Sequence, residues 1–411
     1  MAGRYDVVIA GAGPAGAQCA RDLAARDYDV LVLETETEAE FPRQSNKSTA
    51  GTFPRMMASF NIPNRVVQHF TDSVVLESPN DHFVQEQTGA VLDFAAFKRF
   101  LVADSKERGA EYRFDARVTG PVLEDDNIVG VQYNRGEEVR GDVMIDATGP
   151  GAHLARPLGI SDLERENQAI GIEFEYEGVE PNHPEFADCR DAMMLRLDHE
   201  LAPGGYAWLF HTGEDTAKVG LCYIQNESYR RNSEEAMTVD DYLERWLERD
   251  PRFESARRIP DKQSHRGSAH VQAPGEISTD NFMAIGDTVP TIDPVWGEGI
   301  DKCMRSARAA AVTADESLSP PSIDTSAAAM SAYDTRWHDS VAPRAQSRLF
   351  MTRLLYLASN DRYDRLMRDM RNLDLETLAR INRGDKLAMR KLVHVSDLPL
   401  LARFARLHWT G

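Results

Sequence analysis

Hydrophobic patterning organises this chain before any single residue does. An unbroken apolar run at residues 7–10 predicts a short strand buried on both faces. One helix-length of Ala-rich sequence follows from Pro14, and a second apolar run at 30–33 ends at Glu34. Period-two alternation at 127–133 and 139–145 predicts a hairpin just ahead of Asp146-Ala-Thr-Gly149. The same alternation at 170–176, 193–197, 206–210 and 217–223 predicts an antiparallel sheet. Residues 238–249 gather Val239, Tyr242, Leu243, Trp246 and Leu247 on one side of a helix. A strand at 282–285 and a helix from about Glu298 to Thr313 come next, and Ser319-Pro-Pro-Ser322 breaks the pattern. Beyond it the chain reads as helical, with an apolar segment at 349–357. Residues 386–409 interleave Lys and Arg with Leu, Val, Phe and Trp, which predicts an amphipathic basic helix.

The turns between these elements carry the chemistry. Gly11-Ala-Gly13-Pro-Ala15-Gly16 joins the first strand to the first helix. Gly11 allows the tight turn, Gly13 lets backbone amides approach a pyrophosphate, and Gly16 lets the helix pack close to the sheet. Pro14 suits a first helical turn, and the helix aims its positive end at the phosphates. Glu34 falls about twenty residues on, where a carboxylate accepts from an adenosine ribose. A second Gly-rich segment, Asn281-Phe-Met-Ala-Ile-Gly-Asp-Thr-Val-Pro-Thr-Ile-Asp-Pro-Val-Trp-Gly-Glu-Gly-Ile300, lies far downstream.

This second segment resembles the second FAD fingerprint of the para-hydroxybenzoate-hydroxylase-like flavoproteins, and Asp146-Ala-Thr-Gly149 resembles their Ala-Thr-Gly strand end. The resemblance implies FAD as cofactor, with Asp287 accepting from a ribityl hydroxyl. It also implies a loop over Gly297, Glu298, Gly299 and Ile300 beside the isoalloxazine, whose negative charge on reduction suits helix N-terminal amides. Pro203-Gly-Gly-Tyr206-Ala-Trp208-Leu-Phe210 resembles the signature of geranylgeranyl reductases. That resemblance spans about residues 5–320. It implies an FAD-dependent oxidoreductase that saturates isoprenoid double bonds of a prenyl lipid or another polyprenyl substrate, with Tyr206 and Trp208 walling an apolar channel.

The implied fold is α/β: a para-hydroxybenzoate-hydroxylase-like FAD-binding Rossmann domain in two parts (1–160 and 276–335), an antiparallel substrate domain (161–275) and a helical C-terminal region (336–411). Departures from the family pattern cluster near the flavin. Ser45 stands where the reductases carry Cys; Ser45, Asn46 and Ser48 are candidate flavin contacts. Phe94 stands where they carry Arg, with Lys98 or Arg99 a helical turn later. His211 replaces the signature's final Pro, and Glu298 stands where the reductases have Gly. Glu298 reads either as the proton donor, with a pKa raised by burial, or as a first-turn carboxylate that complements the helix dipole. The runner-up activities are those of a flavin-dependent monooxygenase or halogenase, or a carotenoid-cyclase-like flavoprotein. Electrons are expected from a ferredoxin or a docking NAD(P)H, since only one dinucleotide fingerprint is present.

Composition adds a charge asymmetry. Residues 336–411 hold 15 Lys+Arg and 8 Asp+Glu, a net of +7, within a chain whose total is −19. Only 8 of the 47 basic residues are Lys. An acidic, Lys-poor surface resembles the proteins of salt-loving archaea, where high ionic strength screens self-repulsion. The basic tail suggests peripheral contact with an anionic membrane, against packing on its own acidic body, and nucleic acid is excluded as a partner. No apolar run reaches the roughly 18 residues a spanning helix needs, and the first strand begins too early for a signal peptide. Four scattered cysteines without a CxxC pair lead us to expect no metal site, no disulfide framework and a cytoplasmic location.

Overall fold

The computed structural model describes residues 4–42, 48–161, 163–231, 237–260, 262 and 264–408. The chain divides into two compact units, each assembled from three separated stretches. The first comprises 1–47, 94–164 and 272–343; the second comprises 48–93, 165–271 and 344–411.

The first unit is built on a sheet whose middle strands are parallel. Its order runs Phe282–Ala284, Glu137–Asp146, Arg4–Ala10, Val30–Leu33 and Glu111–Arg113. Val7, Val8, Ile9 and Ala10 are fully buried, as a strand covered on both faces requires. The helix Pro14–Ala24 follows the first strand and the helix Ile300–Leu318 packs against it through small residues, including Ala307, Ala310, Ala311 and Ala314. The hairpin expected before Asp146 forms: Asn127–Tyr133 pairs antiparallel with Glu137–Asp146.

The second unit carries the antiparallel sheet. The strands Gln168–Glu177, Thr216–Ile224, Gly205–Gly213 and Ala192–Arg196 lie in that spatial order. One face packs on the helix Val239–Arg249, whose Tyr242, Leu243 and Trp246 join Ile172, Leu209, Val219 and Leu221 in the core. Thr238 and Asp241 form a capping box at this helix's start, which fixes where it begins.

Two expectations change. The long strands Val67–Glu77 and His82–Leu92 extend the second unit's sheet, with Ala192–Arg196 pairing parallel to the former. Segment 48–93 therefore leaves the FAD-binding part, and 344–408 packs within the second unit as well. The single basic helix expected at 386–409 is broken into Lys386–Met389, two 3-10 turns and Leu398–His408. Asp385 caps the first piece, and Asp397 is drawn into a reciprocal cap with His394. Pro399 lacks an N–H and is tolerated only in a first turn, so the helix must restart beside it.

Candidate functional site

In the first unit Gly11 and Gly16 of the N-terminal turn sit where only glycine fits. Gly11 has φ +102°, and a Cβ there would lie 2.5 Å from the Ala147 carbonyl oxygen. A Cβ on Gly16 would lie 1.9 Å from the Gly11 oxygen, while nothing lies within 4 Å of the position above Gly13. The helix after Gly13 has no side-chain cap, and Pro14 at its first position leaves the following amides open to a ligand. Ala15, buried in the helix's first turn, faces Gly286, where a Cβ would come within 2.8 Å of it. Glu34 is buried; its Oε2 accepts from the Ala12 amide and its Oε1 from the Glu36 amide, each at 2.9 Å. These bonds hold the carboxylate at the end of its strand with a lone pair to spare on each oxygen.

Asp146 is a structural residue of the Ala-Thr-Gly turn. Its Oδ1 accepts from the Thr148 amide and hydroxyl, and its Oδ2 from the Leu154 and Ala155 amides at 2.8 Å each. Asp287 differs. Among the described residues its carboxylate has one hydrogen-bond donor, the Cys303 thiol at 3.6 Å, and burial pushes its pKa up to about 6. A carboxylate this poorly partnered suits a hydroxyl-rich ligand.

The loop 293–299 is shaped by Asp293, whose Oδ1 accepts from the Val295 and Trp296 amides at 3.0 and 3.2 Å. The Asp293 amide donates to the Glu298 carbonyl at 2.9 Å, closing the loop ahead of the helix. Gly297 has φ +66°, Gly299 is the N-cap, and the helix starts at Ile300, two residues later than expected. Glu298 therefore precedes the helix; the first-turn acid is Asp301. Burial first, then the Asp301 and Asp293 carboxylates, raise the Glu298 pKa to about 7.

In the second unit Tyr206, Trp208 and Phe210 project from one face of the strand Gly205–Gly213, half-buried, while Ala207, Leu209 and His211 point into the opposite, buried face. Trp208 lies over Gly220 on the next strand; a Cβ there would meet the indole at 2.5 Å. The indole reaches Glu173 one strand further and donates Nε1–H to its Oε2 at 2.7 Å. Glu173 escaped the sequence reading. An acid at every second position of an otherwise apolar strand, Glu173 then Glu175, was the readable signal.

Ser48 donates no direct cue to a ligand here; its hydroxyl accepts from the Ala50 amide at 3.1 Å. Ser45 and Asn46 lie outside the described residues. Phe94 and Lys98 are buried, with the Lys98 ammonium 5.0 Å from the Phe41 ring and 5.8 Å from the Phe94 ring.

The open approach at Gly13, the buried Glu34 carboxylate and the under-partnered Asp287 together fit a flavin dinucleotide, and the first unit is the nucleotide-binding half of an FAD-dependent oxidoreductase. Residues 6–169 match the FAD dependent oxidoreductase family model, and 183–261 match the geranylgeranyl reductase catalytic domain. The chain is 62% identical over 406 residues to the digeranylgeranylglycerophospholipid reductase of Haloferax volcanii, covering 99% of both chains. It is 27% identical to digeranylgeranylglycerophospholipid reductase 2 of Methanopyrus kandleri, covering 98% of each. Among solved structures, a geranylgeranyl bacteriochlorophyll reductase-like protein of Thermoplasma acidophilum has a TM-score of 0.83 at 22% identity, covering 97% of this chain and 99% of that one. A flavin-dependent brominase has a TM-score of 0.72 at 21% identity, covering 93% and 94%. These structures share the fold. The chain belongs to the digeranylgeranylglycerophospholipid reductase family, and it is an FAD-dependent enzyme that reduces isoprenoid C=C bonds. The halogenase likeness extends to the fold alone, and the monooxygenase, halogenase and cyclase readings give way to the reductase.

Proposed function

We propose that the substrate is a digeranylgeranylglycerophospholipid, as in the names of the curated relatives, and that Glu298 is its proton donor. An isolated trisubstituted alkene is not electrophilic. Protonation of its less substituted carbon places positive charge on the tertiary carbon, and the C–C π pair becomes the new C–H bond. FAD, when bound and reduced, supplies the hydride that completes the saturation. Gly11, Gly13, Ala15, Gly16, Glu34, Asp287, Gly297, Gly299 and Ile300 would hold it. Glu298 supplies the proton because burial, and after it the Asp301 and Asp293 carboxylates, disfavour its charged form, leaving a carboxyl that is partly protonated near neutrality. The observation that carries the assignment is its place between Gly297 and Gly299, in the loop that the Asp293 amide closes ahead of the helix Ile300–Leu318. Tyr206 and Trp208 serve as an apolar wall for the isoprenoid chain: their rings lie 5.9 Å apart on the half-buried face of the sheet. Their role is to exclude water and orient the chain.

The phospholipid is delivered at an anionic bilayer surface by the basic C-terminal region. Most of the exposed large apolar side chains among the described residues lie there, including Leu375, Leu387, Val395 and Leu398. They sit amid a net charge of +7 over 336–411, the combination that interfacial binding needs. No helix of the described residues is long and apolar enough to cross a membrane. Electrons come from a ferredoxin or NAD(P)H that docks transiently.

The test is Glu298→Gln under anaerobic conditions with reductant in excess. Turnover is expected to fall at least a hundredfold with flavin content unchanged, in line with loss of a general acid. Full turnover in the variant would remove the acid role. Sedimentation with vesicles tests the delivery half: binding to anionic but not neutral vesicles is expected, and its loss in Leu398→Asp. Equal binding to both vesicle types would contradict it.

A further inference from the structure

Three side chains far apart in sequence meet at one end of the second unit's sheet. His69 lies on the strand Val67–Glu77, Asp191 immediately precedes Ala192–Arg196, and His211 lies on Gly205–Gly213. These strands are neighbours in the fold: Ala192–Arg196 pairs with Val67–Glu77 on one side and with Gly205–Gly213 on the other. His69 Nε2 is 2.6 Å from Asp191 Oδ1, and His211 Nδ1 is 3.6 Å from the same oxygen. One nitrogen from each ring and the carboxylate oxygen all lie within 4.8 Å of one another. We propose that His69, Asp191 and His211 bind a single divalent transition-metal ion of the Zn2+ class.

The hydrogen bonds of the two rings differ: His69 Nε2 donates to Asp191 Oδ1 at 2.6 Å, so an ion must displace that proton. His211 Nε2 lies 2.9 Å from the Glu214 carbonyl, which can only accept, so that nitrogen carries the proton. The lone pair then sits on Nδ1, facing Asp191 and His69. A ring nitrogen turned inward while the other donates to a backbone carbonyl is the usual outer support of a metal-bound histidine. Nδ1 accepts meanwhile from the Asp191 amide at 3.1 Å. An ion that binds there takes that lone pair from the Asp191 amide. Asp191 is itself pinned, since its carbonyl accepts from the Asp72 amide at 2.8 Å and its φ is +51°.

The donor chemistry narrows the ion. Two imidazole nitrogens and one carboxylate oxygen suit Zn2+, Co2+ or Ni2+ and are poor ligands for Mg2+ or Ca2+. Tetrahedral ligands about 2.0–2.1 Å from zinc stand roughly 3.3 Å from each other, so His69 Nε2 and Asp191 Oδ1, 2.6 Å apart, must spread while His211 Nδ1, 3.6 Å from that oxygen, closes slightly. The Asp191 side chain is 53% exposed, which leaves a path for entry and a fourth position for water. His211 lies on the face opposite Trp208, so the ion ties three strands together apart from the aromatic face. The expectation of no metal site rested on cysteine spacing, which is blind to ligands that only strand pairing brings together.

The experiment uses the FAD-loaded protein in molar KCl, stripped with a chelator. Zn2+ is titrated against a chromophoric chelator, and Co2+ is added separately to read its visible d–d absorption. One equivalent per chain is expected, with a rise of a few degrees in the unfolding midpoint. His69→Ala and the conservative Asp191→Asn are expected to weaken binding at least tenfold and to abolish the midpoint rise, with flavin absorbance and circular dichroism unchanged. Wild-type protein that takes up no Zn2+ at micromolar free metal would overturn the proposal. So would Asp191→Asn protein that binds Zn2+ and Co2+ like the wild type, since the metal would then sit elsewhere.

Discussion

The Trp208 indole crosses Gly220 and donates its N–H to Glu173 at 2.7 Å. The bond fixes the ring's position on the half-buried face of the sheet. Glu173 is buried, and among the described residues its second oxygen has no hydrogen-bond partner. His265 Nδ1, 3.9 Å away, likewise has none, and burial lowers the His265 pKa so that the ring stays neutral. Lys218, buried on the same face, donates to the Thr49 and Leu92 carbonyls at 3.0 and 3.1 Å. Glu173 is thus a positioning residue for Trp208.

Glu173→Ala tests that relationship, because it removes the acceptor that holds the indole N–H, whereas a methyl at Gly220 would also meet the Ile172 carbonyl oxygen at 2.4 Å. We expect KM for the prenyl lipid to rise about tenfold with flavin content unchanged, and tryptophan fluorescence to shift. The scale is that of one mispositioned contact in an apolar site. Unaltered kinetics with a visibly moved indole would separate Trp208 from the substrate.

Turnover should follow the protonated fraction of Glu298. With its pKa raised to about 7, the acid is present below that value and lost as pH rises through it. The limb should vanish in Glu298→Gln. Stability carries the same sign: the folded state keeps a proton that the unfolded chain releases near pH 4.5, so this residue's contribution declines as pH climbs from there towards 7. A pH–rate profile and unfolding midpoints across that window check both.

Legibility in the sequence followed locality. Gly11, Gly13, Gly16 and Glu34 act within one strand–turn–helix unit, so their spacing carried their geometry. The strand ends at Asp146 and Asp287 were readable for the same reason. Glu173 and Trp208 are 35 residues apart, and their bond depends on strand register, which alternation alone does not supply. The strands Val67–Glu77 and His82–Leu92 went unassigned because polar residues interrupt their alternation and register shifts occur along the pair. The broken C-terminal helix shows local capping overriding a periodic apolar pattern. Asp385 and Asp397 stop and restart a helix that hydrophobicity alone would continue.

A buried ion cluster makes the second unit's stability depend on one residue. Arg252 is fully buried. It donates to both Glu77 oxygens at 2.9 Å and to the two Asp250 oxygens at 3.0 and 2.8 Å. Burial opposes ionisation of Asp250, but the Arg252 hydrogen bonds win and hold its pKa down. Arg252→Ala should cost about 3–5 kcal/mol by stranding two buried carboxylates. In the wild type, the Asp250 contribution is present above its ordinary range and lost as pH falls through the lowered value. Denaturant unfolding of the two proteins across acid pH measures both effects.

Salt should govern folding. A net charge of −19 repels itself over a Debye length of about 3 Å at 1 M salt but about 30 Å at 0.01 M. The unfolding midpoint is therefore expected to fall between molar and millimolar KCl. An unchanged midpoint would refute salt adaptation.

This chain reduces isoprenoid C=C bonds with FAD, and the glycerophospholipid proposed as its substrate can be offered to it directly. The direct measurement is anaerobic incubation of the dithionite-reduced, FAD-loaded protein with digeranylgeranylglycerophospholipid in high salt, followed by mass spectrometry of the lipid. A ladder of products is expected, each heavier by one pair of hydrogens per reduced double bond, and none without FAD. Unchanged lipid from protein that carries a full complement of reduced flavin would contradict it.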